Sequence, residues 1–171
     1  REKRAMWMRG GFLYSHGPYF WEKIHLYYRI GGKAMINLME QSIEQISDLG
    51  FECQCGQYHE VNIGDIRIGS GILREIPEIL LEFKGKKLLL VADKNTFKIA
   101  GQRVEEILSN EFSLHTFIYE DDHLIADAKS LGRLLMEIEK DVSLILTVGS
   151  GTLNDITRYV SAKTKIPYAI I

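Results

Sequence analysis

Two groups of residues have types and spacing suited to chemistry. One is Val148-Gly149-Ser150-Gly151-Thr152-Leu153-Asn154-Asp155, at the end of the apolar run Ser143–Val148. The other is Asp93, directly after the apolar run Leu88–Ala92. An apolar run bounded by turn residues reads as a buried strand. Glycines let the chain turn tightly and let a bulky anion approach the main chain. Thr152 with Asp155 three residues on has the spacing of a capping box, which predicts a helix from about Leu153. Strand, glycine turn and helix start together offer free N–H groups and a positive dipole end to a phosphate. The same pattern also suits a plain tight strand-to-helix turn. Asp93 has two readings as well: a carboxylate accepting hydrogen bonds from ribose hydroxyls, or a helix N-cap alongside Asn95 and Thr96.

The order of these groups argues against the common dinucleotide fingerprint, in which the glycines come first and the acid about 20 residues later. Here the acid precedes the glycines by two strand–helix units. Asp155, close to a bound pyrophosphate, would be repelled, so its expected role is to cap its own helix. Arg158 and Lys163 read as solvated helix-face charges, and His115 and His123 as structural residues without partners at metal-ligand spacing. Cys53, Cys55 and His59 form a Cys-x-Cys-x-x-x-His cluster. It reads either as three ligands of a separate structural zinc site or as a reduced turn or strand.

The elements that must position these residues alternate. Short strands are expected at Ile66–Ile68, Leu88–Ala92, Leu114–Tyr119, Val142–Val148 and Tyr168–Ile171. Helices are expected at Ile72–Phe83, Phe97–Leu108, Ile125–Lys140 and from about Leu153 to Thr164, with Pro77 near a helix start or at a break. This alternation predicts an α/β fold, a Rossmann-like parallel sheet with helices on both faces. Upstream, Ile36, Met39, Ile43, Ile46 and Leu49 are spaced as on an amphipathic helix over Met35–Leu49, with Gly50 as its stop.

Residues 1–34 read differently, with both tryptophans and the cluster Tyr14, Tyr19, Phe20, Trp21, Tyr27 and Tyr28 lacking clear periodicity. Gly31-Gly32-Lys33-Ala34-Met35 suits translation of a purine-rich ribosome-binding site ahead of an initiator Met35. Residues 1–34 are therefore expected to be an atypical extension outside the native coding sequence, 35–65 a helix plus the cysteine segment, and 66–171 a truncated nucleotide-binding domain. The chain has 171 residues, 46% hydrophobic and 26% charged, with net charge −2. That balance gives no electrostatic case for nucleic acid or an anionic membrane as partner. No apolar run approaches the roughly 20 residues that span a bilayer. Two cysteines do not make a secreted disulfide scaffold, so a reducing cytoplasm is the expected compartment.

Residues 66–171 resemble the N-terminal, nucleotide-binding half of the glycerol-1-phosphate dehydrogenases, within the iron-containing alcohol dehydrogenase and dehydroquinate synthase-like superfamily. The resemblance is carried by Gly69-Ser70-Gly71-Ile72-Leu73, Val91-Ala92-Asp93-Lys94-Asn95-Thr96, Ala100-Gly101, Ile166-Pro167-Tyr168 and above all Val148–Tyr159. It implies NAD(P)-dependent interconversion of dihydroxyacetone phosphate and sn-glycerol-1-phosphate, a phosphorylated polyol, in phospholipid metabolism. Asp93 would bind the adenine ribose, and Gly149, Ser150, Gly151, Thr152 and Leu153 the pyrophosphate. A divalent metal, zinc or nickel, would polarise the substrate oxygen. Its aspartate and two histidines come from an all-helical C-terminal domain that these residues do not include. No catalytic residue is therefore assigned, and the 171 residues alone are expected to be inactive. A homo-oligomer is compatible with the resemblance. The alternatives are a glycerol dehydrogenase, a dehydroquinate synthase-like enzyme, or a nucleotide-binding fragment without catalysis.

Overall fold

A computed structural model describes residues 3–8, 27–30, 33–37, 50–52, 55–60 and 63–171. The described residues form a six-stranded and a four-stranded sheet. In chain order the strands are β1 (Lys3–Met8), β2 (Tyr27–Ile30), β3 (Lys33–Asn37), β4 (Gly50–Glu52), β5 (Tyr58–Glu60), β6 (Ile66–Gly69), β7 (Lys87–Asp93), β8 (Ser113–Tyr119), β9 (Val142–Val148) and β10 (Tyr168–Ile170). The helices are α1 (Ile76–Ile79), α2 (Lys94–Thr96), α3 (Gln102–Leu108), α4 (Ala128–Met136) and α5 (Gly151–Thr164).

The larger sheet has the order β6-β1-β10-β9-β7-β8. β8, β7, β9 and β10 run parallel, and β1 is antiparallel to both β10 and β6. Strand periodicity explains why both faces are covered, since successive side chains point to opposite sides. Leu88, Leu90, Ala92, Leu144, Leu146 and Val148 enter one core with Val104 and Leu108 of α3. Leu89, Val91 and Ile145 enter the other with Leu134 of α4 and Leu153, Ile156 and Val160 of α5. Most of these side chains are fully buried, each stabilising the fold by about 1.5–3 kcal/mol.

The connections reverse direction at the centre of this sheet. The chain leaves β7 along α2 and α3 toward β8 on one side, crosses back over the other face by α4, then leaves β9 along α5 toward β10 on the opposite side. The ends of β7 and β9 therefore flank a topological switch point, where open α/β sheets take their ligands.

Several expected elements differ in extent. The segment Ile72–Phe83 is broken into a 3₁₀ turn at Ile72–Glu75, α1, and a second turn at Leu81–Phe83. Pro77 in the first turn of α1 lacks the N–H that a longer helix needs. Between α2 and α3 the chain makes a π turn over Phe97–Gly101, with the Phe97 ring against Gly101. α4 is shorter than Ile125–Lys140, because Asp127 caps its start through the Ser130 N–H at 2.9 Å.

The helix expected over Met35–Leu49 does not begin at Met35. Lys33–Asn37 forms β3, which pairs antiparallel with β2 in the order β3-β2-β4-β5. Ile30 and Lys33 are cross-strand partners separated by two glycines, a connection length and composition that favour a hairpin over a helix. Gly50, expected as the stop of that helix, begins β4. The rest of that expected helix, residues 38–49, lies outside the described residues, as do Tyr14, Tyr19, Phe20 and Trp21. β3 spans the division expected at Met35, and β1 belongs to the larger sheet.

Candidate functional site

The turn from β9 into α5 is tighter than its sequence pattern indicates. Gly149 donates its N–H to the Ile171 carbonyl at 3.1 Å, tying the end of β9 to the residue that follows β10. A Cβ at Gly149 would lie 2.3 Å from Leu153 Cδ1, so Leu153 packs into the space that a side chain at this position would take. Ser150, extended at φ −81° and ψ 177°, is the N-cap, and α5 begins at Gly151. The Asn154 N–H closes the first turn onto the Ser150 carbonyl at 3.0 Å.

The expected capping box of Thr152 and Asp155 is absent. With the helix beginning two residues earlier than predicted, the box positions fall on Ser150 and Leu153, and the second is apolar and buried. Asp155 points to Arg158 at 3.3 Å, and both are exposed. No side chain caps α5. The N–H groups of Gly151, Thr152 and Leu153 stand in the first turn, where none has an acceptor within the helix. A Cβ at Gly151 would meet nothing within 4 Å, so folding alone gives no reason for glycine there. The arrangement can hold an anion on main-chain donors with the helix dipole behind them.

Asp93 ends β7 one strand away, its neighbour Ala92 paired with Val148. Its carboxylate does cap α2: Oδ1 accepts the N–H groups of Asn95 and Thr96, each at 2.8 Å. Thr96 Oγ1 accepts the Asp93 N–H at 3.0 Å and completes a capping box. Both bonds to the carboxylate fall on Oδ1, which leaves Oδ2 as an acceptor with a fixed orientation. The N-cap reading of Asp93 is therefore correct as far as it goes, and it uses one of the two oxygens.

The loop after β8 lies beside Asp93, since β7 and β8 pair to their last residues, Asp93 with Tyr119. It carries Glu120, Asp121 and Asp122. Lys94 ion-pairs with Asp122, and Arg133 with Asp121. The Arg133 hydrogen bond holds the Asp121 carboxyl below its ordinary value. Beneath them Tyr119 is fully buried, donates its hydroxyl to the Ser130 carbonyl at 2.7 Å, and has its pKa pushed up to about 12 by burial.

Sequence reasoning missed Asn154. Among the described residues, its Oδ1 is the buried side-chain polar atom left without a hydrogen-bond partner. An unsatisfied buried acceptor costs about 1–3 kcal/mol, and this one sits in the first turn of α5. Its position in the glycine motif was legible; its burial depends on tertiary packing.

The remaining candidates lie elsewhere. Cys55 Sγ is 3.1 Å from His59 Nε2 at the β4–β5 hairpin, and Cys53 lies outside the described residues. His115 on β8 pairs with Glu137 at 2.9 Å. Lys163 lies 5.3 Å from the Tyr159 ring centre, a cation–π contact on the exposed face of α5. A groove of about 330 Å³ is lined by Gly69, Ser70, Gly71, Arg74 and Arg103. Among the described residues no group of three or more His, Cys, Asp or Glu is placed to hold a metal ion, and no helix is long and apolar enough to cross a membrane.

Comparison with known proteins bears on the same region. The sequence pattern of the iron-containing alcohol dehydrogenase family matches residues 67–171. A curated relative named glycerol-1-phosphate dehydrogenase [NAD(P)+], from Geobacillus thermodenitrificans (strain NG80-2), is 31% identical over 134 residues, covering 76% of this chain and 33% of its own length. A relative of the same name from Methanosphaerula palustris is 31% identical over 105 residues, covering 61% of this chain and 28% of its own. The chain thus spans about a third of the length of the curated relatives it matches. The crystal structure of glycerol dehydrogenase from Schizosaccharomyces pombe shares the fold with a TM-score of 0.50 at 18% identity, over 57% of this chain and 24% of that one. The glycine turn, its uncapped helix and Asp93 all fall within the matched residues, and the chain belongs to the iron-containing alcohol dehydrogenase family.

Proposed function

We propose that these residues are the NAD(P)-binding portion of an sn-glycerol-1-phosphate dehydrogenase of the cytoplasm, which interconverts dihydroxyacetone phosphate and sn-glycerol-1-phosphate. The observation that carries the reading is the start of α5, open to an anion at Gly151 and uncapped, one strand from a carboxylate with an oriented spare oxygen. The first-turn N–H groups of Gly151, Thr152 and Leu153 hold the pyrophosphate, with the Ser150 and Thr152 hydroxyls beside them. Asp93 Oδ2 accepts from the adenosine ribose while Oδ1 caps α2. Asn154 Oδ1 is a buried acceptor at the same turn, open to a donor of the nucleotide and not to its phosphates. The nicotinamide, when bound, supplies the hydride chemistry.

The substrate assignment is supported by the shared name of the curated relatives. The metal is a different matter: the described residues present no group fit to hold it, so no step through a metal is derived from this chain. Two experiments test the reading. Calorimetric titration of the 171-residue chain with NADH and NADPH is expected to give saturable one-to-one binding of at least one of them. The protein extended to the length of its relatives, assayed with zinc or nickel, is expected to oxidise NAD(P)H with dihydroxyacetone phosphate. Inactivity with every metal would remove the enzyme assignment and leave a nucleotide-binding module.

A further inference from the structure

We propose that Asp122, by holding Lys94, makes the ribose end of this site select NAD(H) over NADP(H). The inference rests on the nucleotide reading above and concerns which nucleotide the site takes. The two cofactors differ in a phosphate on the adenosine 2′-oxygen, which carries roughly −1.5 to −2 charges at neutral pH. A site that takes NADP places a cation beside that oxygen, and one that takes NAD places an acid there.

Both kinds of residue stand at the end of β7, where Lys94 directly follows Asp93. The cation is already engaged. Lys94 Nζ donates to Asp122 Oδ1 in the loop after β8. That hydrogen bond is the main reason the Lys94 ammonium is held above its ordinary pKa, with further attraction from Asp122, Glu120 and Asp121. The next cation, Arg133, is spoken for by Asp121 and lies over the rings of Tyr119 and Phe117. A 2′-phosphate arriving here meets the spare oxygen of Asp93 and an acidic loop whose nearest lysine is already compensated. The two ribose hydroxyls of NAD meet an acceptor. Asp122 is 80% exposed, so salt screens the effect and selection is strongest at low ionic strength.

Calorimetric titration of the 171-residue chain at low salt tests this. NADH is expected to bind at least tenfold tighter than NADPH. D122N is expected to raise NADPH affinity about fivefold, the worth of one charge contact in water, and to leave NADH within about twofold. Adding K94A to D122N is expected to remove the gain. Adding K98A, a lysine one turn farther from the strand end, is expected to leave it. Equal affinities in the parent chain, or a D122N effect shared by both nucleotides, would overturn the proposal while leaving the nucleotide site in place. Failure of both nucleotides to bind would overturn the site itself and the selection with it.

Discussion

Two helices leave the same edge of one sheet from adjacent parallel strands, and they start in opposite ways. α2 is closed by its own sequence: Asp93 Oδ1 takes two N–H groups and Thr96 returns a hydroxyl to the Asp93 N–H. α5, the longer helix, has no side-chain cap, and the box that its sequence suggests does not form. A helix start left open usually loses about 1 kcal/mol relative to a capped one. The difference teaches that local stability accounts for the β7 end and does not account for the β9 end. The open amides and the glycine with free space above it share one turn, as an anion site requires.

Substitutions break this comparison at different points. The largest effect on folding is expected at Gly149. In G149A the new methyl meets Leu153 Cδ1 at 2.3 Å, and such overpacking costs about 1–3 kcal/mol. A thermal melt should show a loss of several degrees, and an unchanged Tm would mean that Leu153 can move aside. At Asp93 the two oxygens separate. D93A is expected to lose about 1 kcal/mol of capping stability together with NADH affinity. D93N keeps a capping oxygen, so it should melt close to the parent and still bind NADH more weakly. Equal affinity in D93N would confine Asp93 to its cap.

A smaller effect is expected from pH. The Ser130 N–H holds the Asp127 carboxyl below its ordinary value, and Arg133 does the same for Asp121. A folded-state pKa below the unfolded one gives stability that is present above the ordinary carboxylate range and lost as pH falls through the depressed value. Tm should therefore fall on acidification, and D127A should flatten that limb. A D127A curve parallel to the parent's would remove Asp127 from the account. The smallest effect is expected at Asp155. Its partner Arg158 is exposed, so D155N should change stability by no more than about 0.5 kcal/mol. A larger loss would restore the capping role expected from its spacing.

Much of the central sheet was legible because its strands are predominantly apolar runs. Leu88–Ala92 and Val142–Val148 need no partner information to be read as buried, and Thr164 was a correct end for α5. The start of α5 was misplaced because Thr152 and Asp155 have capping spacing, whereas the chain turns at Ser150 to seat Leu153 on Gly149. The helix start expected at Met35 was misplaced for a related reason. Its spacing of three and four suits a helix, but Lys33–Asn37 has a strand partner across two glycines. Lys94 and Asp122 are 28 residues apart and meet only because β8 lies beside β7. The burial of Asn154 Oδ1 is likewise a product of packing.

The central claim is that the space over Gly151 belongs to a pyrophosphate. The direct measurement is an NADH titration and a thermal melt of G151A beside the parent chain. Nothing in the fold opposes the added methyl, and alanine is the better helix former by up to about 1 kcal/mol. The account predicts an equal or higher Tm with NADH affinity at least tenfold lower. An equal or higher Tm with unchanged NADH affinity would contradict it.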